Sequence, residues 1–289
     1  MLFEKPTQPI FVVQNPNIAS TPLVLDSPHS GLQEPPDFAY ACAKAELQKG
    51  TDYWVDDLVS GVCTHGGTLL KALVARSYID LNRSLAEFDP ALCAETTFDL
   101  GPQSARVRFG MGLLRRLVRP NEPVYNRKLS RAEIRHRIEH YYTPYYAILR
   151  DLLDAAFEKH GQVLHINCHS TPSRLLNGQA LPDIILGDRD GQTCGHVWRD
   201  VVANYLRGAG LSVAINNPYK GVELVRRFAN PKIGRHSLQL EINKKLYMCE
   251  KTLAQRPHQY AQLQTVLNSL WGYLGAEFVT KNEDKIAAE

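Results

Sequence analysis

The stretch VLHINCHS, residues 163–170, decides the fold predicted for this chain. Its first four residues, 163–166, form a largely apolar run of the kind that makes a buried strand. Polar residues follow at once, among them His169. Because side chains alternate along a strand, Cys168 is expected to point away from His169. The pattern therefore predicts a strand that presents His169 where it runs out into a loop.

Two further stretches end in the same way. Residues 22–25 are apolar and lead into the turn DSPHSG, which contains His29. Residues 237–240 lead into Glu241. Ligands of open α/β sheets bind at the carboxyl ends of the strands. If these strands are parallel and end side by side, we expect the two imidazoles and the carboxylate to lie close together.

Short apolar runs alternate with longer stretches of helical period along the whole chain. The apolar runs predict strands at residues 23–25, 69–74, 163–166, 183–186, 212–215 and 238–242. Helical patterns lie at residues 51–63, 130–159, 193–207 and 252–278. This alternation predicts a three-layer α/β fold, a mixed and mostly parallel sheet with helices on both faces. We expect a single domain over residues 1–280 and a polar, solvated tail over residues 281–289.

The segment 130–159 carries the clearest helical signal. Ser130 and Glu133 have the spacing of a capping box. Pro144 predicts a kink in this helix, and Gly161 predicts its end. Residues 83–124 are instead rich in Gly and Arg and predict a long irregular segment, which is typical of a functional loop.

The composition is that of an ordinary soluble protein, with 44% hydrophobic residues, 22% charged residues and a formal net charge of +3. Its arginine clusters are too scattered for a nucleic-acid surface and fit a pocket for small anions better. No segment approaches the roughly 18 apolar residues of a membrane span, and no secretory signal is visible. The six cysteines form no C-x-x-C pair. Reduced thiols in a cytoplasmic protein are the expectation.

His29 and His169 together predict a metal site. A catalytic zinc ion takes three protein ligands, often including a carboxylate, and keeps one position open for water. Asp52 and Asp56 are four residues apart in the predicted helix and would share one of its faces. Asp52 is also well placed to cap that helix, so Asp56 is the favoured third ligand and Asp52 the alternative. His165 is expected to be a buried structural histidine.

Glu241 lies inside an apolar strand pattern, where a carboxylate is costly unless it is paired, bound to metal or shifted in pKa. Beside a metal site it is a good general base. Asn82 and Arg83 follow another predicted strand. The planar guanidinium of Arg83 suits a substrate carboxylate, and Asn82 adds a neutral donor. Arg174, Arg226 and Arg227 are further arginines whose guanidinium groups suit a small anion.

Several short motifs, in this order along the chain, resemble those of one enzyme family. They are SPHSG at 27–31, TDYWVD at 51–56, IDLNR at 79–83, CHS at 168–170, LPD at 181–183, and QLE at 239–241 with LYM at 246–248. Together they resemble the zinc carboxypeptidase and aspartoacylase superfamily, and more closely the N-formylglutamate amidohydrolase family. The matching segments run from about residue 23 to 250, almost the whole predicted domain.

The resemblance implies a phosphorylase/hydrolase-like fold and a zinc-dependent amidohydrolase that acts on a small anionic N-acyl amino acid. N-formyl-L-glutamate, cleaved to glutamate and formate in histidine breakdown, is the implied substrate. It also implies His29 and His169 as zinc ligands with Asp56 or Asp52, and Glu241 as base. The alternatives are a related deacylase or carboxypeptidase with another substrate, and a non-catalytic anion-binding relative.

Overall fold

The computed structural model describes residues 5–95, 103–119 and 121–288, with side chains as far as residue 278. The backbone forms two compact units. The smaller unit comprises Met1–Val12, Pro28–Thr51 and Ala72–Ile148. The larger unit comprises Val13–Ser27, Asp52–Lys71 and Leu149–Glu289. The expected single domain over residues 1–280 stays a prediction.

The strands of the described residues are β1 (Phe11–Gln14), β2 (Leu23–Ser27), β3 (Thr68–Ala72), β4 (Leu117–Arg119), β5 (Glu122–Pro123), β6 (Val163–Thr171), β7 (Ile184–Gly187), β8 (Val213–Ile215) and β9 (Arg235–Asn243). Seven of them form one sheet in the order β1-β3-β2-β6-β9-β7-β8, and β4 pairs with β5. Each of the six predicted strands is present. β6 and β9 are longer than predicted, because both continue into polar residues that remain hydrogen-bonded in the sheet.

The centre of the sheet is parallel. β2 pairs in parallel with β3 and with β6, and β6 pairs in parallel with β9. β7 is antiparallel to β9 and parallel to β8, so the sheet is mixed. The predicted α/β class with a mixed, mostly parallel sheet is confirmed. One consequence decides the chemistry: β2, β6 and β9 all end at the same edge.

The helices are α1 (Lys44–Gln48), α2 (Val55–Leu58), α3 (Ala105–Arg108), α4 (Arg131–Arg137), α5 (Thr143–His160), α6 (His196–Gly208), α7 (Glu223–Phe228) and α8 (Pro257–Ala288). In the larger unit, α2, α6 and α8 contribute to the apolar core. α7 contacts β6 and β9. At its start, the backbone N–H of Val222 donates a hydrogen bond to the side chain of Gln239, which lies on the sheet face opposite the apolar core. Helices therefore flank both faces, as expected of three layers.

The two faces of the central strands differ in polarity because alternate residues point to opposite sides. One face is apolar and belongs to the core: Leu23, Leu25, Leu164, Ile166, Cys168, Leu238, Leu240 and Ile242. The other face is polar although it is buried or half-buried: Asp26, His165, Asn167, His169, Ser237, Gln239 and Glu241. The prediction that Cys168 points away from His169 is confirmed. The polar face is where the chemistry lies.

Two helical predictions need correction. The helix predicted over 51–63 is the short α2 followed by a 3-10 helix over Ser60–His65. Trp54, directly before α2, is left-handed with φ of 67°, so the helix cannot extend back to residue 51. The helix predicted over 252–278 begins at Pro257 and continues to Ala288. The solvated tail expected over 281–289 stays a prediction.

The helical segment from residue 130 follows its prediction closely. Ser130 and Glu133 form the capping box, with both reciprocal hydrogen bonds present. Gly161, with φ of 69°, ends α5 in the left-handed conformation that a glycine adopts without strain. A turn of π-helix over Ile138–Tyr142 lies just before Pro144, where the missing N–H of proline interrupts the regular hydrogen bonds.

The segment predicted as irregular, 83–124, contains several short elements within the described residues. These are α3, β4, β5 and 3-10 turns at Leu85–Glu87 and Pro90–Leu92. All six cysteines are free thiols. Among the described helices, none combines the length and the apolar composition that crossing a membrane requires.

Candidate metal centre

His169 lies on the polar face near the end of β6 and is buried. Its Nδ1 atom is 3.0 Å from Oδ2 of Asp52. The other carboxylate oxygen of Asp52 accepts a hydrogen bond of 3.0 Å from the hydroxyl of Ser170. His169 and Ser170, at the end of β6, therefore contact both carboxylate oxygens of the buried Asp52 side chain, and His169 and Asp52 are already adjacent.

The structure favours Asp52 over Asp56 as the third candidate ligand. Asp52 precedes the left-handed Trp54, whereas Asp56 follows it inside α2, so the two do not share a helical face. The side chain of Asp56 is 30% exposed and lies 3.6 Å from the ammonium of Lys71. Asp52, the alternative, is the carboxylate that is buried against His169.

His29 is held by the IDLNR motif. Its Nε2 atom is 2.7 Å from Oδ1 of Asp80. Asp80 also accepts hydrogen bonds from the guanidinium of Arg76, at 2.8 Å, and from the backbone N–H of Asn82, at 3.0 Å. Burial raises the pKa of Asp80, but His29, Arg76 and Arg83 outweigh this and hold the pKa well below its usual value. An ionised Asp80 makes Nε2 of His29 the donor, which leaves Nδ1 as the ring atom suited to bind a metal.

His29, Asp52 and His169 meet the requirements of a metal centre. Each offers one ligand atom, these atoms lie within 4.8 Å of one another, and all three residues are buried. Two imidazoles and one carboxylate form the donor set of hydrolytic zinc sites. When neutral His169 carries its proton on Nε2, its Nδ1 atom and Oδ2 of Asp52 are both acceptors, and two acceptors 3.0 Å apart need a cation or a proton to hold them together. The residues present therefore fit zinc.

Glu241 lies beside His169 in the sheet. The two residues are direct register partners on the parallel strands β6 and β9, so their side chains project from the same face. Oε1 of Glu241 accepts a hydrogen bond of 2.7 Å from the side-chain amide of Gln239. The side-chain carbonyl of Gln239 accepts one of 3.0 Å from the backbone N–H of Val222. Gln239 therefore ties the Glu241 carboxylate to the start of α7.

A buried polar chain runs behind His169. Its Nε2 atom is 2.8 Å from the side-chain carbonyl oxygen of Asn167, and the amide of Asn167 donates to Asp26 at 2.8 Å. Asp26 is also 2.8 Å from Nε2 of His165, whose Nδ1 lies 2.7 Å from the hydroxyl of Ser237. His165 is buried, as predicted.

The predicted substrate residues have defined partners. Arg83 is largely buried, and its guanidinium donates to the carbonyls of Asn82 and Met111. Arg226 donates two hydrogen bonds to Glu223, of 2.7 and 2.8 Å, and Arg227 lies 3.9 Å from the same carboxylate.

Arg174 is an exposed residue that donates to the carbonyl of Gly178 at 2.8 Å. The described contacts do not test the substrate-binding role of Asn82, Arg83, Arg174, Arg226 or Arg227, which stays a prediction.

Sequence reasoning missed the residues that hold the ligands in place. These residues are Asp80, Asn167 and Gln239. For Asn167 and Gln239, the polar residues at every second position of 163–170 and 235–243 were a visible signal. Tyr247 was also missed. Burial raises its pKa, and the nearby carboxylates of Asp52 and Glu241 raise it further, so its hydroxyl keeps its proton.

Comparisons with known proteins agree on one family. The family model for N-formylglutamate amidohydrolase matches residues 21–248. The N-formylglutamate deformylase of Pseudomonas putida is 29% identical over 240 residues, which cover 79% of this chain and 82% of that protein. The deformylase of the same name from Pseudomonas aeruginosa is 28% identical over 235 residues, 80% of this chain and 83% of that protein.

A crystal structure supports the same assignment. That of N-formylglutamate amidohydrolase from Ralstonia eutropha JMP134 has a TM-score of 0.89 and 39% sequence identity to this chain, covering 94% of this chain and 99% of that one. This chain therefore belongs to the N-formylglutamate amidohydrolase family.

Proposed function

We propose that this protein is a zinc-dependent amidohydrolase that cleaves N-formyl-L-glutamate to L-glutamate and formate. The observation that carries the proposal is the buried group of His29, Asp52 and His169, with Glu241 next to His169 on the same sheet face. The substrate follows from the names of the relatives. Zinc follows from the donor set.

His29, Asp52 and His169 would hold the zinc ion, and when bound it would supply Lewis acidity for the formyl carbonyl and the attacking water. The protein residues supply orientation and proton transfer. Asp80 and Asn167 each bind the Nε2 atom of one ligand histidine. Such partners keep imidazole rings in the orientation that metal binding requires.

Glu241 is the general base of the proposed reaction. It removes a proton from the attacking water, whose oxygen forms a bond to the formyl carbon. When the C–N bond breaks, Glu241 returns the proton to the leaving nitrogen, so that glutamate departs as an amine and formate carries the water oxygen. A positioned carboxylate in this role contributes about 10²–10⁴-fold in rate.

Arginine and asparagine side chains are proposed to hold the two carboxylates of the substrate. Asn82 and Arg83 take the α-carboxylate, and Arg174, Arg226 or Arg227 takes the side-chain carboxylate. A planar guanidinium binds a carboxylate through two parallel hydrogen bonds, which fixes orientation as well as affinity. Orientation of a small anion in this way lowers the barrier by converting binding energy into proximity.

The decisive experiment uses Glu241→Gln, with Glu250→Gln as a matched control on the same stretch of chain. Glu250 accepts a hydrogen bond from the backbone of Ser173 and has no assigned part in the chemistry. Both purified variants should bind zinc at one equivalent. Formate release from N-formyl-L-glutamate should fall by about 10²–10⁴-fold in Glu241→Gln only. Normal turnover by Glu241→Gln would show that the proposed base is wrong.

A further inference from the structure

We propose that Asn167 is a positioning residue that, held by Asp26, fixes the ring of His169 so that its Nδ1 atom is the metal ligand. The inference rests on the metal site of the proposed function and adds a role for a residue that does not itself touch the metal. It follows from the hydrogen bonds of a fully buried side-chain amide.

The orientation of the Asn167 amide is determined by its neighbour. Asp26 is fully buried and can only accept hydrogen bonds as a carboxylate. The group of Asn167 that lies 2.8 Å from Asp26 must therefore be the NH₂ group. The carbonyl oxygen of the Asn167 side chain then faces His169, 2.8 Å from Nε2.

This orientation determines the tautomer of His169. Because the carbonyl oxygen of Asn167 is an acceptor, Nε2 of His169 must carry the proton and donate it. A neutral imidazole with its proton on Nε2 has its lone pair on Nδ1. Nδ1 is the atom 3.0 Å from Oδ2 of Asp52. The lone pair thus lies next to the carboxylate that completes the ligand set.

The backbone keeps the chain of contacts in place. Asp26 and Asn167 are register partners on β2 and β6, and His165 and Ser237 are register partners on β6 and β9. His165 contacts the same oxygen of Asp26 as Asn167 does and in turn contacts Ser237. Three adjacent strands therefore support one amide, and Asn167 cannot rotate without breaking two buried hydrogen bonds.

A merely structural role for Asn167 predicts a different result from a positioning role. If Asn167 only satisfied buried polar groups, its replacement would lower stability and leave the metal affinity unchanged. A residue that orients a ligand histidine typically changes metal affinity by about 10–100-fold. Ser237 provides the matched control, because it belongs to the same buried network but lies at its far end from His169.

The first test uses the unmodified protein, so that it does not depend on the folding of a variant. The protein is labelled with ¹⁵N-histidine and loaded with ¹¹³Cd in place of zinc. We expect the ring nitrogen of His169 that couples to cadmium to be Nδ1, with the proton on Nε2. Coupling of cadmium to Nε2, or to neither nitrogen of His169, would overturn the proposal.

The second test measures zinc affinity by competition with a chelator for Asn167→Ser and Ser237→Ala. Circular dichroism of both metal-free variants verifies the fold. We expect zinc binding about 10–100-fold weaker in Asn167→Ser and unchanged in Ser237→Ala. Equal affinity in Asn167→Ser and the unmodified protein, or an equal loss in both variants, would contradict a positioning role. Neither test measures turnover, so a protein that fails to hydrolyse N-formylglutamate would refute the proposed function and leave these outcomes unaffected.

Discussion

Replacement of Asp52 with Asn should remove most of the thermal stabilisation that zinc gives this protein, whereas replacement of Asp56 should not. Asp52 is buried and lies 3.0 Å from the ring of His169. Asp56 is partly exposed and pairs with Lys71. The two variants make the same chemical change four residues apart, so they separate a metal ligand from a nearby carboxylate.

The magnitude follows from linkage between zinc binding and folding. Zinc at about 100 times its Kd stabilises the folded state by about 2.7 kcal/mol. The unfolding entropy is about 2.1 cal/mol/K per residue, so 289 residues give roughly 0.6 kcal/mol/K and a Tm increase of about 4 °C. Mutation of a residue that only supports a metal ligand weakens metal binding by up to about 100-fold. Mutation of the ligand itself should weaken zinc binding by at least that much. At the same zinc concentration the Tm increase then falls below about 1 °C.

Differential scanning calorimetry with and without zinc measures these shifts directly. The unmodified protein and Asp56→Asn should both show the increase of about 4 °C, and Asp52→Asn should lose nearly all of it. A zinc-induced shift that survives in Asp52→Asn and disappears in Asp56→Asn would refute the reasoning about the left-handed turn at Trp54 and restore Asp56 as the ligand.

Three further predictions concern the base, the substrate and stability. Gln239→Leu should lower kcat for N-formylglutamate about tenfold to a hundredfold with little change in KM, since a hydrogen bond to a charged group is worth about 1.5–3 kcal/mol. Steady-state kinetics measure both constants. An unchanged kcat would show that the hydrogen bond from Gln239 to Glu241 does not support the base. The zinc-loaded protein should release formate from N-formylglutamate faster than it removes acetyl or succinyl groups, as chromatography of the products can show; preference for a larger acyl group would favour the related deacylase. Burial raises the pKa of Glu133, but Arg127 and Ser130 outweigh it and hold the pKa below its usual value. Its ionised form therefore stabilises the fold above about pH 4. Glu133→Gln should lower the free energy of unfolding, measured with urea at pH 7, by about 1.5–3 kcal/mol, and this loss should shrink as the pH falls towards 3. A loss that stays constant with pH would count against the ion pair.

The polar face of the sheet explains why so many charged groups are tolerated in the interior. Asp26, His165 and Asn167 occupy strand positions that in most parallel sheets hold aliphatic side chains. Each of them has a hydrogen-bond partner on a neighbouring strand. Burial of such groups is costly when a partner is removed, so this network favours one arrangement of the His169 side chain, which Asn167 contacts.

Local features of the fold could be read from the sequence because they depend on neighbouring residues. Apolar runs marked the six predicted strands, and Ser130 with Glu133 marked a helix start, since period and capping act over a few positions. The ends of β6 and β9 were less visible. Their last residues are polar, and only pairing between the two strands keeps them in the sheet.

The two candidate ligand histidines could also be picked out from the sequence, because each follows an apolar run that predicts a buried strand, and parallel strands end at a common edge. The choice between Asp52 and Asp56 could not be made in this way. It depended on a left-handed residue at Trp54, a conformation that tryptophan rarely adopts, so helical spacing alone favoured Asp56, whereas the structure groups Asp52 with the two histidines.

The amino-acid sequence by itself determined the order of strands and helices and the kinds of chemical group that the site contains. Only the tertiary structure decided which of those groups meet. Asp80 reaches His29 across 51 positions of sequence, and Asp26 reaches Asn167 across 141. Such contacts are set by strand register and chain closure, which depend on the packing of the whole sheet and have no local signature in the residues themselves.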